Sequence, residues 1–178
     1  MNQPGSFEDG CYSTLNNPLS SFELNIVVKF LKLQNTPHSN SEFKIFGRIR
    51  YNNQLFYAQT YDHKHKRQSS VCKWKFENMD YYGIIQKFVL YKGIEMIIAS
   101  KFVDKKKLID LYDFSAPYKS IFQLNDLDKY YPVFGRFEND ENNLVVCLSS
   151  SLVSTCVMVK LKDSDNIMVT PIIGFEHD

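Results

Sequence analysis

Glycine is scarce in this chain, 7 among 178 residues, and the loops that use it to cradle phosphates are missing. Neither G-x-x-x-x-G-K-[ST] nor G-x-G-x-x-G occurs. The 4 cysteines, Cys11, Cys72, Cys147 and Cys156, stand far apart without a C-x-x-C pair. That spacing implies neither a zinc site nor a disulfide framework, so buried reduced thiols are expected. No window approaches the roughly 18 apolar residues that a bilayer-crossing helix needs. The opening MNQPGSFEDG lacks the basic-then-apolar order of a secretory signal. Nucleophile motifs are missing too: Ser149-Ser150-Ser151 is no G-x-S-x-G elbow, and His38, His63, His65 and His177 sit in polar segments. The expectation is an intracellular protein that is not an enzyme and carries no cofactor.

What the chain has is aromatic and β-branched residues. The 14 Phe and 11 Tyr exceed ordinary usage and suit a sheet-rich core. A chain of 178 residues fits one domain. Residues 1–18, with Pro4, Gly5, Gly10, Asn16, Asn17 and Pro18 among polar neighbours, read as a flexible leader. Residues 19–178 read as a single β-rich domain. Its one helix is expected over 19–33, where Leu19, Phe22, Ile26, Phe30 and Leu33 recur at spacings of three and four. Ser20 and Glu23 form a capping-box pattern at its start. The β-branched Ile26, Val27 and Val28 leave an alternating strand as the competing assignment.

Residues 43–102 organise the rest. Asn52-Asn53, Glu77 to Asp80 and Lys92-Gly93 are turn signals, since Asn and Gly tolerate the positive φ that tight hairpins need. Between them, Phe43, Ile45, Gly47 and Ile49 alternate with Lys44, Phe46, Arg48 and Arg50 as one strand. Residues 55–61 return, and 71–76 form a strand with Val71, Lys73 and Lys75 on one side and Cys72, Trp74 and Phe76 on the other. Residues 84–90 and 94–99 are apolar on both faces, the pattern of central strands. Lys105, Lys106 and Lys107 read as a solvated triplet before a short strand at 108–112. Further β segments are expected at 120–124, 131–137, 144–148, 152–161 and 167–175. Their order suggests an antiparallel meander.

Charge is uneven although the net is +1. Residues 44–75 carry eight bases against Asp62 alone, and residues 138–178 carry seven acids against Lys160 and Lys162. Lys64, Lys66, Arg67, Lys73 and Lys75, interleaved with Tyr61 and Trp74, have the composition of a phosphate-tracking surface. The competing reading is an ordinary solvated strand edge. Tyr61, Trp74, Tyr81 and Tyr82 are candidates for an aromatic cage around a methylated ammonium, with core packing as the alternative. In Asp62-His63-Lys64-His65 the neighbouring cations repel a metal and no third soft ligand is near, so no metal is expected.

The segments FGRIRYNNQLFYAQTYDHKHKRQSSVCKWKF, DYYGIIQKFVLYKGIEMIIASKFV, KLIDLYDF and SIFQLNDLDKYYPV together carry a resemblance. Tyr82-Gly83-x-Ile85, the hydrophobic hairpin after it, Phe122-Gln123-Leu124 and Tyr131-Pro132-Val133 are its anchors. Over residues 43–135 the chain resembles the C-terminal, non-catalytic tail of CACTA-type transposases and of host proteins derived from them. That tail is similar to the bromo-adjacent homology module, a chromatin reader or protein-binding platform. The resemblance implies a small twisted antiparallel β-barrel with one N-terminal helix, and a nuclear, monomeric binding module whose partner is protein or chromatin. The sequence holds no nuclease domain, so transposition itself is not implied. The alternative is a nucleic-acid-binding accessory protein using the basic loop 62–75 to hold DNA or RNA. A β-sandwich docked on anionic membrane is a third reading, set aside in favour of no membrane partner. Strand order separates these: residues 120–133 paired back on a closed barrel favour the reader, two stacked sheets the sandwich.

Overall fold

Three two-residue turns shape the middle of the chain. Their central residues all have positive φ: Asn52 and Asn53 at 46° and 61°, Glu77 and Asn78 at 48° and 64°, Lys92 and Gly93 at 47° and 79°. This backbone twists with the strands it joins, which is why such turns close hairpins. The computed structural model describes residues 18–36, 43–61, 70–107, 133–136, 143–160 and 166–172. These contain one helix, α1 (Ser21–Leu33), and strands β1 (Lys44–Phe46), β2 (Arg48–Tyr51), β3 (Gln54–Tyr57), β4 (Val71–Phe76), β5 (Met79–Tyr91), β6 (Ile94–Lys101), β7 (Val103–Lys107), β8 (Val133–Arg136), β9 (Leu144–Leu148), β10 (Leu152–Lys160) and β11 (Asn166–Pro171).

The fold is mostly β, with one helix and a strongly curled, half-barrel sheet. The order β7-β8-β11-β10-β4-β5-β6-β9 holds the main sheet, with β1 added alongside β5, and β2-β3 forms a separate hairpin. Every pairing is antiparallel. The expected meander is confined to β4-β5-β6. Both edges of that meander carry unpaired backbone groups, and strands from the C-terminal third satisfy them: β10 on β4 and β9 on β6. Residues 120–132 lie outside the described residues, whereas Val133 begins β8, which pairs with β7 and β11.

Two local features depart from simple alternation. Gly47 divides the expected continuous strand: β1 pairs with β5, and β2 pairs with β3. A Cβ at Gly47 would run into the Tyr61 ring, so the chain bends where only glycine lets an aromatic ring approach. As a result Phe46 and Ile49 enter the same core cluster. In β5 the register shifts between Ile85 and Lys87. This bulge at Gln86 changes the strand's partner from β4, along Met79 to Ile84, to β1, along Phe88 to Leu90. Gln86 is fixed there, donating from Nε2 to Gln59 Oε1 at 2.8 Å and Ser100 Oγ at 3.0 Å, while its carbonyl accepts from Thr60 Oγ1 at 3.0 Å.

The sheet has an inner and an outer face. Inside, Phe46, Ile49, Phe56, Trp74, Ile85 and Phe88 belong to one buried cluster, over which the β2-β3 hairpin closes. Outside lie two clusters. Val71, Tyr82, Ile84, Phe102, Cys156 and Val169 pack between β4-β5 and the β8-β11 strands. Val27 and Leu31 of α1 pack on Val89, Tyr91, Met96 and Ile98. Each fully buried aliphatic side chain of that contact contributes about 1.5–3 kcal/mol.

The helix forms as the capping box predicts. Glu23 N–H donates to Ser20 Oγ at 3.1 Å, and Ser20 N–H donates to Glu23 Oε2 at 2.7 Å. Its end is a Schellman arrangement around Asn35, φ 53°, with Thr36 N–H bonded to Leu31 O and Asn35 N–H to Lys32 O. The buried face differs from the expected one. Glu23, Val27 and Leu31 are the buried residues, and Leu33 is 75% exposed. The helix is turned so that a carboxylate faces the sheet, because Lys87 Nζ lies 2.7 Å from Glu23 Oε2. Lys105, Lys106 and Lys107 belong to β7, and the strand expected at 108–112 lies outside the described residues.

Candidate functional site

β4, β5 and β6 bring cations and aromatic rings together. Antiparallel pairing sets Trp74 opposite Tyr81 and Lys73 opposite Tyr82, which sorts the side chains onto two faces. On the inner face the Trp74 and Tyr81 rings stack, centroids 5.9 Å apart and planes 15° from parallel. Gly83 next to them has no side chain: a Cβ there would strike the Ser100 carbonyl and come within 2.9 Å of the Trp74 ring. Lys101 Nζ lies 5.9 Å from the Tyr81 ring centre. On the outer face Lys73 Nζ is 2.7 Å from Asp80 and 5.8 Å from the Tyr82 ring centre. Burial, reinforced by Asp80, pushes the Tyr82 hydroxyl well above its ordinary range.

Of the expected cations, Lys64, Lys66 and Arg67 lie outside the described residues. Lys73 is ion-paired and Lys75 is exposed on the same strand. Of the expected cage residues, Trp74 and Tyr81 come together and Tyr82 points to the opposite face. Tyr61 packs by Gly47, its ring 6.1 Å from that of Tyr57 and 5.9 Å from the Arg48 guanidinium. Trp74 is 2% exposed and part of the inner core.

Three buried thiols belong to the core. Burial raises Cys147 to about 11 and Cys156 to about 12, and it also raises Cys72 well above its ordinary value. At neutral pH these are thiols rather than thiolate nucleophiles. Among the described residues no group of three or more His, Cys, Asp or Glu side chains is placed to hold a metal, and no helix is long and apolar enough to cross a membrane.

Two features went unseen in the sequence. One is the buried pair between Lys87 and Glu23, signalled only by a charge inside an otherwise apolar run. The other is apolar exposure on β10, where Val153, Val157, Met158 and Val159 are 39–50% exposed and Ile172 beyond β11 is 39% exposed. Register places Val157 opposite Thr170 and Val159 opposite Met168, so the face of these two valines continues onto β11, while Met158, opposite Val169, lies on the other face. No protein family, curated protein or solved structure matches the chain.

Proposed function

We propose that this chain is a non-catalytic binding module of transposon origin that engages a protein partner in chromatin. The observation that carries this reading is the apolar face of β10 and β11. Strands flanked on both edges are normally covered, and exposed clustered apolar side chains mark protein contacts. The resemblance of residues 43–135 to transposase tails and bromo-adjacent homology modules supports the origin and the chromatin setting. A nuclear location follows from the same reading.

Nucleic-acid binding through the basic loop is the alternative. Within residues 71–83 it gains little, since Lys73 and Lys75 are balanced by Glu77 and Asp80. The experiment is a titration of the purified chain with reconstituted nucleosomes and with the same DNA free of histones, each at two salt concentrations. The module reading expects nucleosome binding that outlasts free-DNA binding as salt rises. Equal, salt-sensitive affinity for both would instead favour the phosphate-tracking alternative.

A further inference from the structure

The β4-β5 hairpin runs past the strands beside it. Pairing of β10 with β4 ends at Trp74, and pairing of β6 with β5 ends at Gly83, one further bond joining Phe102 N–H to Tyr82 O. Residues 75–80 therefore project beyond both neighbours, with side chains sorted onto two faces. On the inner face Phe76 stands opposite Met79, one step beyond the stacked Trp74 and Tyr81. Phe76 and Met79 are 52% and 53% exposed. On the outer face Lys73 and Asp80 are ion-paired at 2.7 Å. The stacked rings and the ion pair brace the base of the hairpin, so its end is a preformed knob.

The turn that closes this knob holds a residue poorly suited to it. Glu77 has φ 48°, a conformation that Gly or Asn adopts at lower cost. Turn geometry therefore does not account for a carboxylate beside the two exposed apolar side chains, and residues held in such conformations cluster at ligand clamps and active sites. Lys75 and Asp80 share the outer face, so the charge that accompanies the Phe76-Met79 pair at the end of the hairpin is negative. Area indicates the shape of the partner: a Phe buries roughly 150–250 Å², so half-exposed Phe76 with Met79 beside it offers on the order of 200 Å². A flat contact between two such tips falls far below the roughly 1,200 Å² of a stable interface and sets Glu77 against Glu77. A recess that surrounds residues 75–79, all of them exposed, buries the apolar pair from every side and places the carboxylate where a base can meet it.

We propose that the tip of the β4-β5 hairpin is an anchor that inserts into an apolar recess of a basic partner protein, with Phe76 and Met79 filling the recess and Glu77 meeting a lysine or arginine at its floor. A half-exposed aromatic side chain on a braced support is the kind of group that carries binding energy. The tip lies at the Leu152 end of β10, whereas Val157 and Val159 lie toward the other end, so this contact is separate from the β10-β11 face. The inference rests on the reading of the chain as a protein-binding module in chromatin, whose histones are basic proteins.

The test is the nucleosome titration at two salt concentrations, run on the full chain with Glu77→Asn, Glu77→Lys and Phe76→Ser/Met79→Ser, each beside its melting temperature. The expected result is that Glu77→Asn melts higher than the parent yet binds more weakly, a split that a purely structural role for Glu77 does not produce. Glu77→Lys and the apolar double variant should each bind at least about tenfold more weakly. Should the double variant fail to fold, the two Glu77 variants still decide. Parent-like affinity in both of them overturns the proposal. Tighter binding by Glu77→Lys that fades as salt rises means that the tip faces DNA phosphates, and overturns it as well. A parent whose sedimentation mass rises with concentration, while Phe76→Ser/Met79→Ser stays monomeric, makes a second copy the occupant and overturns the choice of partner. Nucleosome binding lost in Val157→Lys/Val159→Lys but kept in every tip variant removes this contact and leaves the module reading intact, whereas no binding by the parent removes both.

Discussion

The contact between Glu23 and Lys87 permits the sharpest energetic prediction. Their side chains are 10% and 5% exposed, and one carboxylate oxygen accepts from both the Lys87 ammonium and the Ser20 amide at 2.7 Å. The ammonium also donates to the Pro18 carbonyl at 3.0 Å. Lys87 reaches this position because the Gln86 bulge turns it outward while Phe88 turns inward. Removing either partner leaves a charge in the interface between helix and sheet, which costs about 3–5 kcal/mol. Against a typical total of roughly 5–15 kcal/mol, Lys87→Met or Glu23→Gln alone should move the urea midpoint severely. The double variant Glu23→Gln/Lys87→Met keeps the capping geometry and buries no charge, so it should be less destabilised than either single variant. Equilibrium unfolding of all four proteins closes the thermodynamic cycle. Additive losses in the double variant, or single losses below about 1 kcal/mol, would refute the claim that this pair is a desolvated link.

Other consequences follow from the same geometry. Gly83→Ala places a methyl group against the Ser100 carbonyl and the Trp74 ring; a loss of about 1–3 kcal/mol or more is expected by thermal melting. Glu77 holds φ at 48°, so Glu77→Asn should raise the melting temperature modestly, by the equivalent of about 0.5–1 kcal/mol, because Asn accepts the left-handed region more readily. Cys72, Cys147 and Cys156 should resist a thiol reagent at pH 8 until the chain is unfolded. These thiols titrate higher folded than unfolded, so their contribution is complete below the unfolded value of 9.0 and is lost as pH rises toward about 11 for Cys147 and about 12 for Cys156. Melting temperature measured across that window should fall, and a flat profile would contradict the burial assigned to them.

Local chemistry made much of the fold legible. Asn52-Asn53, Lys92-Gly93 and the polar Glu77-Asn78 turn all reside where residue type suggests, and Ser20 with Glu23 marked the helix start. Residues 71–76 divide between faces as their alternation implies. Features set by distant partners were not legible. Nothing near Gly47 announces that Tyr61 will occupy the space of its missing side chain. The helix face rotates toward Glu23 because of Lys87, 64 positions away. β9 and β10 join the central meander because its edges need hydrogen bonds, a demand invisible within either segment. For the candidate site, residue types identified an aromatic and basic neighbourhood, but pairing register decided that Tyr82 and Lys73 share one face and Trp74 and Tyr81 the other.

Substitution on the exposed face of β10 tests the central claim most directly. Val157 is 50% and Val159 43% exposed, so Val157→Lys/Val159→Lys should leave melting nearly unchanged, as surface changes usually do. In the nucleosome titration the account predicts that this variant binds at least about tenfold more weakly than the parent, the loss expected when charge replaces an apolar contact. Undiminished affinity in a well-folded variant would contradict it.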